Sequence, residues 1–310
     1  MRDFEDFPDD SEELPENQET IITSIVKRFN TYTRMLIESK KITGYGAIGV
    51  ATGASGLGKT CAVNNFANVF KPRSFNNLPE CLQFRVDIKS TKLQLAIRIL
   101  RVLQDVPRKG TRVEHVNNVI ESIHRNYIKL LIVDEADRLK EDGFELLRDI
   151  HDRTGGALLL VGLPSIWGII THHEKFLSRI GLTFDFEPLP EEEILKTFLP
   201  KLVFPHWKFD PADENDLSLG RKIWARTGPS LRNLRKVIQT ASGIAHITDV
   251  ELIDETVIED TFNQLRFLNK PPNQAASNNT SNGATQESGK HEAESNARNS
   301  AKNKHKEAGK

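Results

Sequence analysis

Along positions 21–39, Ile22, Ile25, Val26, Phe29 and Tyr32 or Thr33 recur at the spacing of one helical face. A continuous apolar run, AIGVA (47–51), then breaks that period and predicts a buried strand. Behind a glycine-rich octet the helical spacing returns at Ala62, Val63, Phe66, Ala67 and Phe70. The alternation then repeats. LQFRVDI (82–88) reads as a strand, and Leu93, Ala96, Ile97 and Leu100 as a helix. After a break at 107–110, Val113, Val116, Ile120 and Ile123 mark another helix. LLIV (130–133), a helix at 142–153, ALLLV (157–161), a helix around 165–177 and LTFDF (182–186) complete the series. Runs that are apolar throughout suit strands covered on both faces. The pattern therefore predicts a doubly wound α/β domain with a largely parallel sheet.

After Pro188 the character changes: residues 190–203, 214–226, 229–245 and 254–267 all read helical, with no convincing strand. The expected organisation is an acidic, disordered arm (1–20), an αβα nucleotide-binding core (21–188), a small all-helical lid (189–268) and a disordered polar tail (269–310). Charge supports the division. Residues 1–20 carry nine acids against Arg2, a net of −8, and the segment from Lys270 carries seven basic and four acidic residues, a net of +3. The formal charge of −1 over 310 residues therefore leaves +4 for the body. Cys61 and Cys81 have no metal spacing and are expected as core thiols in a reducing, cytoplasmic setting. No apolar run approaches membrane-span length, so no membrane partner is expected.

The octet GASGLGKT (53–60) meets the pattern G-x-x-x-x-G-K-[ST] at Gly53, Gly58, Lys59 and Thr60. Its place between a strand and a helix is what phosphate binding requires. Glycines allow backbone N–H groups to turn inward on a β-phosphate that also sits at a helix N-terminus. Gly53, Ala54, Ser55, Gly56, Leu57, Gly58, Lys59, Thr60 and Cys61 are thus the expected lining of an ATP site, with Lys59 on the β- and γ-phosphates and Thr60 on Mg²⁺. A serine-nucleophile elbow is excluded, because GxSxG needs glycine where Leu57 stands. LLIVDEAD then places Asp134 at a strand end, where ligands bind in open α/β sheets. Asp134 is the expected Mg²⁺ partner, and Glu135 the group that polarises the attacking water.

This loop, the Asp-Glu pair and a C-terminal helical lid resemble an AAA+ ATPase, from about Ile21 to Leu268. The resemblance implies a polar residue after the fourth core strand that helps orient the water. Here Leu163 stands where Thr or Asn is usual, with Ser165 two residues on. It also implies an arginine finger, given to a neighbouring subunit, at Arg179 in FLSRIGLTFDF, and a lid arginine at Arg232 in TGPSLRNLRKVI. Arg235 lies one turn along the same face.

VDEADRL, LRDIHDRTG, LLLVGLPSI and the compact TGPSLRNLRKVI segment together look like the TniB, TnsC and MuB group of transposition ATPases. That likeness implies self-assembly as a ring or helical filament on double-stranded DNA, with a transposase and a target-selection protein as further partners. The DNA-facing part in that group follows the second core strand. It carries over to Lys89, Lys92, Arg108, Lys109, Thr111 and Arg112 as sequence-tolerant phosphate contacts. Two other classes stay open: a helicase loader or initiator of replication, and a nucleotide-dependent switch that does not act on DNA. An initiator's appended winged helix is not expected, given the polar composition after Leu268. His172 and His173 diverge on a helix and are not expected to bind metal, and Trp167, Trp207 and Trp224 are expected to pack rather than stack on bases.

Overall fold

The computed structural model describes residues 20–69, 78–87, 90–106 and 110–269. Helix α1 (Ser24–Thr43) leads into strand β1 (Ile48–Thr52), and the glycine loop joins β1 to α2 (Lys59–Val69). There follow β2 (Cys81–Arg85), α3 (Lys92–Val102), α4 (Arg112–Arg125), β3 (Leu130–Asp134), a 3₁₀ turn (Ala136–Arg138) and α5 (Glu141–Thr154). Then come β4 (Ala157–Gly162), the short helices α6 (Ile166–Ile170) and α7 (Glu174–Leu177), and β5 (Ile180–Asp185).

The five strands form one parallel sheet in the order β2-β3-β4-β1-β5. Every residue of β1, β3 and β4 is buried, the burial that their unbroken apolar runs require. Because all strands run the same way, the ends of β1, β3 and β4 share one edge of the sheet, with β4 in the middle. The aromatic face of α1 closes one side. The Phe29 ring centroid lies 5.1 Å from that of Phe186, tilted, and 5.6 Å from that of Phe184, edge-on, and the Tyr32 hydroxyl donates to the Leu182 carbonyl at 3.1 Å.

Two expected helices are irregular. The segment 165–177 breaks between α6 and α7, where His173 adopts a non-helical backbone. Residues 191–201 run as one α turn (α8, Glu191–Glu193), one π turn (Ile194–Phe198) and one 3₁₀ turn (Leu199–Lys201). Strand β2 ends at Arg85, earlier than its apolar pattern suggested, because its pairing partner β3 ends opposite at Asp134. Helices α9 (Glu214–Thr227), α10 (Leu231–Ile247) and α11 (Glu255–Gln264) complete the helical segment.

The described residues through Gln264 form one compact unit that contains both the sheet and helices α8 to α11. The described residues from Leu265 fall in a second unit and include a 3₁₀ turn (Arg266–Asn269). The acidic arm and all but the first residue of the polar tail lie outside the described residues. Among the described residues no helix is long and apolar enough to cross a membrane.

Candidate functional site

The glycine loop follows the buried end of β1, and its backbone is what glycine permits: Gly56 and Gly58 both sit at φ +85°, the left-handed region that L side chains rarely adopt. Leu57 is buried and anchors the loop in the core. Lys59 is turned inward and donates to the carbonyls of Gly53 and Ala54 at 2.7 and 2.8 Å. Burial pushes its ammonium below the usual lysine range, while the carboxylates of Asp134, Asp137 and Glu135 pull the other way.

Asp134 ends β3 and is buried. It accepts the Thr60 hydroxyl at 2.8 Å and the Glu135 backbone N–H at 2.9 Å. Burial pushes its carboxyl above the ordinary range, and these two hydrogen bonds hold it down. Thr60 and Asp134 thus present an all-oxygen pair suited to a hard divalent cation that keeps its waters and also binds phosphate. Among the described residues no group of three or more His, Cys, Asp and Glu gathers that could hold a metal ion by itself.

Glu135 lies at φ +54°, a strained left-handed conformation for this residue. Its carboxylate is not directed at open solvent: one oxygen pairs with Arg85, from the end of β2, and the other faces Arg138. Neither arginine was singled out in the sequence. The available signal was Arg85 itself, a charge closing a strand whose register sets it beside Asp134.

The helical segment reaches this loop directly. Ser230 caps α10 by accepting from the Asn233 N–H at 3.3 Å. The Arg232 backbone N–H donates to the Gly56 carbonyl at 3.3 Å, and its guanidinium donates to the Ser55 hydroxyl at 3.0 Å. The fit is close enough that a Cβ on Gly56 would stand 2.3 Å from the Ser230 hydroxyl oxygen. Arg232 is therefore brought to the glycine loop. Arg235, on the same face, lies over the Phe204 ring at 5.6 Å.

Arg179 stands just before β5, away from the glycine loop in sequence, and makes a two-pronged pair with Asp152 of α5 at 2.7 and 2.9 Å. Cys81 is buried, but Cys61 is exposed on the first turn of α2, so the expectation of two core thiols holds for Cys81 alone. Cys61 lies on the outward side of α2, whose next two residues, Ala62 and Val63, are the buried ones. Leu163 is half-exposed and apolar, and Ser165 is exposed at the start of α6 without capping it.

Of the residues expected to contact DNA, Lys89, Arg108 and Lys109 lie outside the described residues. Lys92 is largely covered and stands 3.9 Å from Glu145. Thr111 caps α4, its hydroxyl accepting from Glu114 N–H at 3.3 Å while Glu114 accepts from the Thr111 N–H. Arg112 is exposed. His173 stacks on Phe144 and the His172 ring bonds the Gly168 carbonyl. Trp207 is buried with its indole N–H on the Leu199 carbonyl, and Trp167 packs against the main core.

Residues 42–170 match the family described as an AAA domain. The chain is 27% identical over 281 residues to a potential ATP-binding protein of Staphylococcus aureus, covering 81% of this chain and 98% of that protein. It is 28% identical over 207 residues to the Mu-like prophage FluMu DNA transposition protein B of Haemophilus influenzae, covering 64% of this chain and 66% of that one. To the ATP-dependent target DNA activator B of Escherichia phage D108 it is 25% identical over 266 residues, 82% of this chain and 75% of that one. Among solved structures, the ORC2 protein of Aeropyrum pernix in its ADPNP-ADP complexes aligns with a TM-score of 0.61 at 14% identity, over 80% of this chain and 70% of that chain. At that identity the likeness speaks for the fold alone.

Proposed function

From the premise that the chain is an AAA+ ATPase of the MuB/TniB group, we propose that it is an ATP-dependent DNA-binding regulator of transposition. It assembles as a ring or helical filament on target DNA in the cytoplasm, recruits or activates a transposase there with a target-selection protein, and uses ATP hydrolysis for turnover. The observation that carries the nucleotide reading is the contact of Arg232 with Ser55, which brings a lid arginine onto the glycine loop beside Lys59, Thr60 and Asp134. The transposition reading is supported by relatives named for DNA transposition and target DNA activation.

In this mechanism Lys59 exchanges the Gly53 and Ala54 carbonyls for the β- and γ-phosphate oxygens. Thr60 and Asp134 are the residues that would hold Mg²⁺, which would supply positive charge against those oxygens. Arg232 is already at the loop and needs only to swing from Ser55 to the γ-phosphate. Glu135 takes the proton of the attacking water. Arg179 reaches the ATP of a neighbouring subunit, for which it must leave Asp152.

Slow turnover is expected from the position of Glu135, because its carboxylate is paired with two guanidiniums and must give up at least one of them to reach water. Replacing Arg85 with alanine should therefore raise DNA-independent phosphate release severalfold, since Arg138 alone then restrains Glu135. An unchanged or lower rate would contradict the restraint.

DNA contact is assigned to Arg112 and Lys92, together with Lys89, Arg108, Lys109 and Thr111. Contacts of this kind read phosphate rather than base edges, and weak ones add across linked subunits. With ATP, binding to random-sequence duplex should weaken steeply as salt rises, and Arg112→Ala should reduce the log–log slope by about 1 per subunit. A slope near zero, or selection of one sequence from a random pool, would contradict it. Electron microscopy with duplex DNA and a non-hydrolysable ATP analogue tests the assembly itself: rings or filaments are expected, and isolated subunits on DNA would overturn it.

A further inference from the structure

The middle strand of the site, β4, ends without a polar side chain: Gly162, Leu163 and Pro164 follow one another. This matters because β4 lies between β3, which ends in Asp134, and β1, which opens into the glycine loop. Register sets Gly162 beside Thr52, the residue before the loop. A polar group held over the end of β4 thus stands between the strand that ends in Asp134 and the strand that leads into the loop.

A side chain from another element occupies that position. Asp137, in the 3₁₀ turn after Glu135, accepts the Leu163 backbone N–H on Oδ1 at 2.9 Å. A Cβ on Gly162 would lie 2.6 Å from the same oxygen and 3.1 Å from the Asp137 backbone nitrogen, so the glycine is what lets the carboxylate sit there. No described residue hydrogen bonds its second oxygen, and the residue is half-buried rather than solvated. Its charge is also felt at Lys59, ahead of that of Glu135, which is turned toward Arg85 and Arg138.

We propose that Asp137 orients the attacking water, supplying from the 3₁₀ turn the polar group that the end of β4 lacks. Oδ1 is fixed by the Leu163 N–H, and Oδ2 accepts a hydrogen bond from the water while Glu135 takes its proton. Gly162 and Leu163 are then a fitted seat for this carboxylate. The inference rests on the reading of the chain as an ATPase.

The test compares Asp137→Asn, Glu135→Gln and the unaltered full-length chain, with ATP turnover, affinity for a fluorescent ATP analogue and thermal midpoint measured on each. Asparagine keeps a carbonyl oxygen for the Leu163 N–H but loses the negative acceptor. The expected result is a fall in kcat of about tenfold or more, with nucleotide affinity and thermal midpoint unchanged. Adding Leu163→Thr to Asp137→Asn should recover part of that loss, because a hydroxyl then stands at the end of β4; a purely structural tether would not be repaired that way. Turnover by Asp137→Asn within twofold of the unaltered chain, while Glu135→Gln is inactive, would overturn the assignment and leave the ATPase reading intact. A loss of turnover matched by loss of nucleotide binding or of thermal stability, without rescue by Leu163→Thr, would reduce Asp137 to a structural tether and overturn it as well.

Discussion

Glu135→Gln should bind ATP as the unaltered chain does and hydrolyse it about 10²–10⁴-fold more slowly, the usual contribution of a positioned general base. The substitution keeps the size of the side chain and one carbonyl oxygen, and removes the charge that draws a proton from water. Lys59, Thr60 and Asp134 are untouched, and the Asp134 carboxylate still accepts from the Thr60 hydroxyl and the backbone N–H of residue 135. The amide also loses its ion pairs with Arg85 and Arg138, so the fall in rate measures the lost base, not a tighter restraint. If hydrolysis drives release, this variant accumulates on DNA. Arg179→Ala should be inactive for a different reason, the missing contact across a subunit interface. Mixing the two variants then restores activity, because some interfaces pair an intact Glu135 with an intact Arg179. Turnover by Glu135→Gln within twofold of the unaltered chain would contradict its role, and no recovery on mixing would leave Arg179 as a structural arginine held by Asp152 and the Lys175 carbonyl.

Lys59→Ala should weaken ATP binding and, with it, ordered assembly on DNA. Hydrogen bonds to charged groups contribute about 1.5–3 kcal/mol each, and those that Lys59 would make to phosphate would replace two that it now makes to the Gly53 and Ala54 carbonyls. Even after that exchange, affinity should fall about tenfold or more, since no other lysine approaches the loop from α2. Affinity for a fluorescent ATP analogue equal to that of the unaltered chain would contradict the phosphate cradle.

The glycine loop was legible in the sequence because its chemistry is local: the φ of Gly56 and Gly58, the lysine and the threonine all fall within eight residues between a strand and a helix. Asp134 was legible for the same reason, as the first charge after an unbroken apolar run. Arg232 needed the resemblance, and the structure brings it to Ser55 across 177 residues. Arg85, Arg138 and Asp137 escaped notice because their importance is tertiary: each acts on a neighbour that only the sheet order and the 3₁₀ turn bring within reach. The break between α6 and α7 was hidden by Ile166, Ile170 and Phe176, which stay buried in one core on both sides of it. The π turn at Ile194–Phe198 was hidden likewise, since Ile194, Leu195 and Phe198 keep an apolar face in either geometry.

Fluorescence anisotropy of a labelled random-sequence duplex titrated with the full-length chain measures directly whether nucleotide gates duplex binding. With ATP and Mg²⁺, binding should occur, weaken as salt rises, and disappear when nucleotide is omitted or when Lys59 is replaced by alanine. Binding of equal strength with and without ATP, or none in either condition, would contradict that gating.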